Sequence, residues 1–175
     1  MMKHIMIGAT VGYFLFLSGC AATSPFPMND SQALKSDSEF GSLTAQPDVF
    51  KGRAIKLAGR MVGVESTDEG TFVTAEWLPY PEAEYLGPYK TTEGSPERFV
   101  IFYPGKLDSK GQLYGNKFLV YGKNEGKPLG ERASASVPYI TARCLHVWKT
   151  GLDRLDTRPD TEYTQYDEET YCADT

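Results

Sequence analysis

The chain has 175 residues, with 23 acidic against 18 basic side chains and a formal net charge of −5. That length allows one domain with a real core, and without a cluster of Lys and Arg the charge excludes a nucleic-acid partner. Aromatic content of 13%, with 17 glycines and 11 prolines, favours a β-rich, turn-rich domain over a helical one.

The first residues read Met1-Met2-Lys3-His4, followed by an almost unbroken apolar run over residues 5–17 and then Ser18-Gly19-Cys20. A short basic end, roughly 7–15 apolar residues and small residues before a cut define a secretory signal, here residues 1–19. The run is shorter than the about 20 apolar residues that a membrane-spanning helix requires. Leu17-Ser18-Gly19-Cys20 resembles the lipobox read by the lipoprotein processing and sorting machinery; a plain signal that happens to end near a cysteine is the alternative. On the lipobox reading Cys20 is the lipidation site and the new N-terminus. It carries a covalent diacylglycerol and an N-acyl chain, and no other cofactor is expected. One acyl chain holds only marginally, whereas two or three anchor stably at about 0.8 kcal/mol per buried methylene. Ala21, rather than Asp, follows the cysteine. By resemblance to sorting in Gram-negative bacteria, that implies lipid anchoring to the outer membrane.

Residues 20–45, the lipidated end and a stretch rich in Ser, Pro, Asp and Ala, read as a tether. Residues 46–51 suggest a turn into a domain spanning 46–150. The first strand signal covers residues 54–64, with Ile55, Leu57, Gly59 and Met61 on one face and Lys56, Ala58, Arg60 and Val62 on the other. Gly59 and Gly63 inside it suggest bulges or sharp bending. Asp68-Glu69-Gly70 reads as a turn, and residues 71–78 as a second strand with Val73, Ala75 and Trp77 alternating against Thr74 and Glu76. A long loop over 79–96 holds Tyr80, Tyr85 and Tyr89. Residues 97–103 form a third strand whose continuous run Phe99-Val100-Ile101-Phe102 suggests burial on both faces. Residues 117–123 are the fourth, 124–130 a turn, and 133–148 the fifth, interrupted by Pro138. The expectation is an all-β fold, a small five-stranded OB-like, partly open barrel, with a β-sandwich as the alternative. No strong helical period appears after Cys20. Residues 151–175 form an acidic tail with eight acids and two arginines, and residues 20–150 carry 15 of each sign.

The pieces resemble the Slp-type outer-membrane lipoproteins of Gram-negative bacteria. The pattern runs from Phe50-Lys51-Gly52-Arg53 through Leu57-Ala58-Gly59-Arg60-Met61 to Thr74-Ala75-Glu76-Trp77-Leu78-Pro79. It continues at Ser95-Pro96-Glu97-Arg98-Phe99, Tyr114-Gly115-Asn116-Lys117, Gly122 and Gly130-Glu131, and closes with Val137-Pro138-Tyr139-Ile140 and His146-Val147-Trp148. It covers residues 46–150. Ala58-Gly59 stands where members tend to have Gly-Gly, and Glu97 replaces a glycine. The resemblance implies an anchored lipoprotein that faces the periplasm and is associated with starvation or envelope stress, without an established catalytic activity or ligand.

Candidate sites are few. After the signal, His146 is the only histidine, so no multi-histidine metal site is possible and no metal is expected. Cys144 and Cys172 lie in an oxidising compartment if exported and read as one disulfide, against two reduced, separately buried thiols. A loop of that length is worth roughly 3 kcal/mol in chain entropy. Cys144 and His146 share a strand face, roughly 6.5–7 Å apart; packing beside Trp148 outweighs a nucleophile–base pair. Tyr80, Tyr85 and Tyr89 are the candidate ligand-binding residues, an aromatic platform for an envelope glycan, against a loop that merely covers the barrel. The tail, with Tyr163, Tyr166 and Tyr171, is a possible dock for a protein partner. No catalytic constellation is recognisable.

Overall fold

A computed structural model describes residues 24–27, 33–35, 37–89, 95–127, 137–151 and 167–173. The signal peptide, Cys20, residues 90–94 of the long loop, Gly130-Glu131, the start of the expected fifth strand at 133–136, Tyr163 and Tyr166 lie outside the described residues. In chain order the elements are β1 (Leu34–Lys35), α1 (Asp37–Ala45), a 3-10 turn (Pro47–Phe50), β2 (Ala54–Ser66), β3 (Thr71–Leu78), a 3-10 turn (Glu84–Leu86), β4 (Arg98–Tyr103), β5 (Lys117–Gly126), β6 (Tyr139–Trp148) and β7 (Glu168–Cys172).

Five of these strands make the expected small barrel, in the ring order β2-β3-β4-β6-β5. It closes because the long β2 pairs with β3 along one edge and with β5 along the other. The β4–β6 contact is parallel; the other ring contacts are antiparallel. Full closure removes the exposed strand edges that invite aggregation.

Alternation fills the inside. Ile55, Leu57 and Met61 of β2, Val73 and Ala75 of β3, Phe99 and Ile101 of β4, Phe118 and Val120 of β5 and Ile140, Ala142, Leu145 and Val147 of β6 form the core. Burying one such Val, Leu or Phe contributes about 1.5–3 kcal/mol. Gly59 is needed where the strands crowd: an added Cβ would stand 2.7 Å from Phe118 Cζ and 2.8 Å from the Glu76 carbonyl oxygen. The expected bulge falls between Met61 and Gly63 in the β2–β3 pairing, and it lets β2 bend around the barrel.

Several expectations change. β4 is not buried on both faces: Phe99, Ile101 and Tyr103 point in, while Val100 and Phe102 are half-buried outside, with Phe102 against Phe72 at 4.8 Å. Pro138 stands before β6 rather than inside it, and its carbonyl accepts a hydrogen bond from Val100 N–H at 2.9 Å. Part of the stretch read as tether is built into the domain. α1 sends Phe40 and Leu43 into the core, where Phe40 stacks on Trp77 at 5.1 Å. Those two residues are three apart and share one helix face. The tail's β7 pairs antiparallel with β6.

Candidate functional site

The barrel has a second apolar layer on its outside, over β2, β5 and β6. Outward residues of β2 (Ala58) and β5 (Leu119, Tyr121) meet Cys144 and Trp148 of β6. A register shift in the β5–β6 pairing skips Arg143, so Ala142 faces the core while Cys144 faces out. Covering this layer are Phe26 and Ala33 from the N-terminal segment and Tyr80 from the loop after β3. Gly87 lies on the Trp148 indole with φ 66°, and a Cβ there would stand 3.1 Å from the ring.

Within this covered layer sits a polar cluster. The Lys56 side chain is 1% exposed. Strand alternation sends it outward from the core, straight under the covering segments. Its ammonium donates to Glu84 Oε1 at 2.9 Å, and Tyr80 OH donates to the same oxygen at 2.9 Å. Ser24 OH donates to Glu84 Oε2. Lys56 Nζ also lies 5.4 Å from the Phe26 ring centroid, within cation–π range. Burial pushes the Glu84 carboxyl up, but the hydrogen bonds from Ser24, Lys56 and Tyr80 outweigh it and hold the group below the usual carboxylate range. Burial, then the neighbouring Glu84 charge, pushes the Tyr80 phenol well above its ordinary value. A carboxylate shared by three donors is a clamp. It joins the N-terminal segment, β2 and the loop after β3.

The three tyrosines read as a platform are therefore divided. Tyr80 is half-buried with its hydroxyl on Glu84, Tyr89 is half-buried, and Tyr85 is 58% exposed. The described part of the loop covers the barrel.

Cys144 and Cys172 are directly opposite on β6 and β7 and are disulfide-linked, with a Cα–Cα distance of 4.1 Å. His146 packs edge-on to Trp148 at 4.3 Å; its Nδ1 lies 2.7 Å from Thr170 Oγ1 and its Nε2 3.6 Å from a Glu168 carboxylate oxygen. Next along the chain, the Lys149 ammonium donates to Asp108 at 2.7 Å and to Glu169 at 2.6 Å. That contact, with the Gly111 N–H, holds Asp108 down at about 2, and the two carboxylates raise Lys149 well above its ordinary value. Among the described residues no group of three His, Cys, Asp or Glu could hold a metal ion, and every buried side-chain nitrogen and oxygen has a hydrogen-bond partner.

Burial holds the His146 imidazole below its ordinary value of 6.5 against the pull of Glu168. The unfolded chain thus takes up this proton more readily than the folded one, so stability falls as pH drops below the unfolded value. Asp108 adds a second loss as pH falls from its ordinary 3.8 towards about 2. The melting temperature is expected to be lower at pH 5.5 than at pH 7.5, and His146→Gln should shrink that difference. Equal pH differences in the two proteins would place the titration elsewhere.

Lys56, Glu84 and Ser24 carry no motif that singles them out. The only hint is a lysine among Ile55, Leu57 and Ala58, where a half-buried strand wants either a solvent face or a partner.

A family model described as "Outer membrane lipoprotein Slp family" matches residues 17–172. The match extends past 46–150 at both ends, taking in Leu17-Ser18-Gly19-Cys20 and the cysteine-bearing tail through Cys172. No curated protein and no solved structure matches the chain.

Proposed function

Because this chain belongs to the Slp family of outer membrane lipoproteins, we propose that it is a lipid-anchored structural protein of the cell envelope. Acyl chains on Cys20 hold it in the outer membrane, and the barrel stands on the periplasmic side in a role tied to starvation or envelope stress.

One observation carries this reading: Ser24, Pro25 and Phe26, which begin four positions after Cys20, are built into the barrel. Ser24 is bonded to Glu84, the Pro25 carbonyl accepts from Thr170 Oγ1 at 3.3 Å, and Phe26 is only 5% exposed. With acyl chains on Cys20, that seating would keep the barrel at the membrane surface. A role without catalysis is supported by the polar groups themselves. Lys56 is engaged with Glu84, His146 with Thr170 and Trp148, and Lys149 with Asp108 and Glu169. An envelope-glycan site on the barrel face and the 79–96 loop has less support, because that face is covered and Tyr80 is turned to Glu84.

Cys20→Ala should abolish lipid incorporation and empty the outer-membrane fraction. A fraction as full as wild type would reject the anchor. Cells carrying this variant should admit more of an excluded dye through the outer membrane during starvation, and unchanged permeability would reject the structural role. Titration of the unlipidated domain with peptidoglycan fragments should leave the NMR signals of Tyr80, Tyr85 and Tyr89 in place.

A further inference from the structure

The geometry points to one membrane-facing side of the barrel: the surface around Ser24 and Glu84 lies on the lipid headgroups, with the Tyr85 ring in the interface. This rests on the lipidated Cys20 proposed above.

Four residue steps separate Cys20 from Ser24, a reach of at most about 14 Å even when fully extended. A domain of this size has a radius of gyration of roughly 14 Å, so its width is at least twice that reach. The side of the barrel opposite Ser24 cannot turn to the bilayer. Nor is Ser24 a loose end. Its hydroxyl is bonded to Glu84 and accepts from Phe26 N–H at 3.3 Å, while Pro25 is tied to Thr170 and the Phe26 ring is packed 6.2 Å from Tyr121. The anchor therefore leaves the barrel at one place.

The residue beside Glu84 is Tyr85, 58% exposed. It lies in the 3-10 turn Glu84–Leu86, which is held by Leu86 N–H to the Ala83 carbonyl at 3.0 Å and Gly87 N–H to the Glu84 carbonyl at 3.2 Å. An apolar ring with a polar tip settles at headgroup depth. The other large exposed apolar side chains among the described residues are Val49, Leu113 and Tyr114. Val49 is on the turn packed against Asn124, and Leu113 and Tyr114 are beside Met61 and Asn116. Glu82, three positions before Tyr85, is exposed and acidic, so it adds no attraction to anionic lipid. The contact comes from tethering, which raises the local concentration of the surface at the bilayer.

The test uses Tyr85→Trp and Tyr114→Trp in the full lipidated protein. Each is reconstituted into vesicles of phosphatidylethanolamine and phosphatidylglycerol with brominated acyl chains, and the wild type supplies the Trp77 and Trp148 background. Sedimentation with the vesicles reports the anchor, and quenching reports the docked side. Both variants should sediment with the vesicles. The added emission of Tyr85→Trp should move to the blue and be largely quenched, while that of Tyr114→Trp keeps its intensity. If both sediment and Tyr85→Trp is quenched no more than Tyr114→Trp, the docked side is overturned and the anchor stands. If neither sediments, the lipidated Cys20 fails and the docking fails with it.

Discussion

Replacing Glu84 with alanine is expected to destabilise the fold by about 3–5 kcal/mol, the cost of leaving a buried charge without its partner. In a chain of this size that lowers the melting temperature by roughly 6–20 °C. The reason lies in the surroundings of Lys56. Its side chain is 1% exposed and its ammonium meets Glu84 at 2.9 Å under a lid formed partly by Phe26. Without the carboxylate, the ammonium must stay charged in an apolar layer, give up its proton, or break the cover to reach water. The loss also removes the acceptor of the Ser24 and Tyr80 hydroxyls, so the N-terminal segment should become cleavable by protease near Ser24. Lys56→Met removes the buried cation and fills its space with apolar atoms, leaving Glu84 with Ser24 and Tyr80. It should cost less than Glu84→Ala, and Lys56→Met combined with Glu84→Gln should recover most of the stability. Denaturant melts of the four proteins check this. A Glu84→Ala protein within roughly 1 kcal/mol of wild type, the scale of an exposed ion pair, would mean that water rather than Glu84 compensates Lys56.

Removing the link between Cys144 and Cys172 is expected to cost about 3.5 kcal/mol in chain entropy, given a sequence separation of 28. The effect should be local as well as global. Four of the five residues of β7 are exposed and only Tyr171 is half-buried, so little burial holds the strand against β6. In the reduced protein, or in Cys144→Ala with Cys172→Ala, the amides of residues 168–172 should exchange quickly while those of β2 and β5 stay protected. His146 would then lose Thr170 and Glu168 from its surroundings. A denaturant midpoint unchanged by reductant would show that β7 is held without the covalent link.

The parts of this protein that follow local rules were legible. The alternation in residues 54–61 and 71–78 separates inward and outward faces correctly, because a strand repeats every two residues; past the bulge the register shifts and Val64 packs against the core. The glycine at Gly63 marks the bulge for a similarly local reason. Elsewhere the local signal was weak and tertiary contacts decided. α1 has only Phe40 and Leu43 as its buried apolar residues, too few to show a helical period. Its helicity is supported by docking on Trp77 and Phe99. Glu168-Glu169-Thr170-Tyr171-Cys172 has no apolar alternation and becomes a strand by adding to β6. Phe99-Val100-Ile101-Phe102 looks buried on both faces because the outer pairing of Phe102 with Phe72 depends on a neighbour 30 positions earlier.

By itself the sequence determined the fold class, the strand faces and the membership that the motifs from Phe50 to Trp148 imply, since each rests on periodicity or on short spacing. Tertiary structure alone decided the clamp at Glu84, the sealing of the barrel's outer layer and the seating of Ser24, Pro25 and Phe26 on it. Ser24, Lys56 and Glu84 are separated by 60 and 28 positions along the chain. A buried lysine, a loop glutamate and an N-terminal serine acquire a shared purpose only once the barrel closes and brings them within hydrogen-bonding distance.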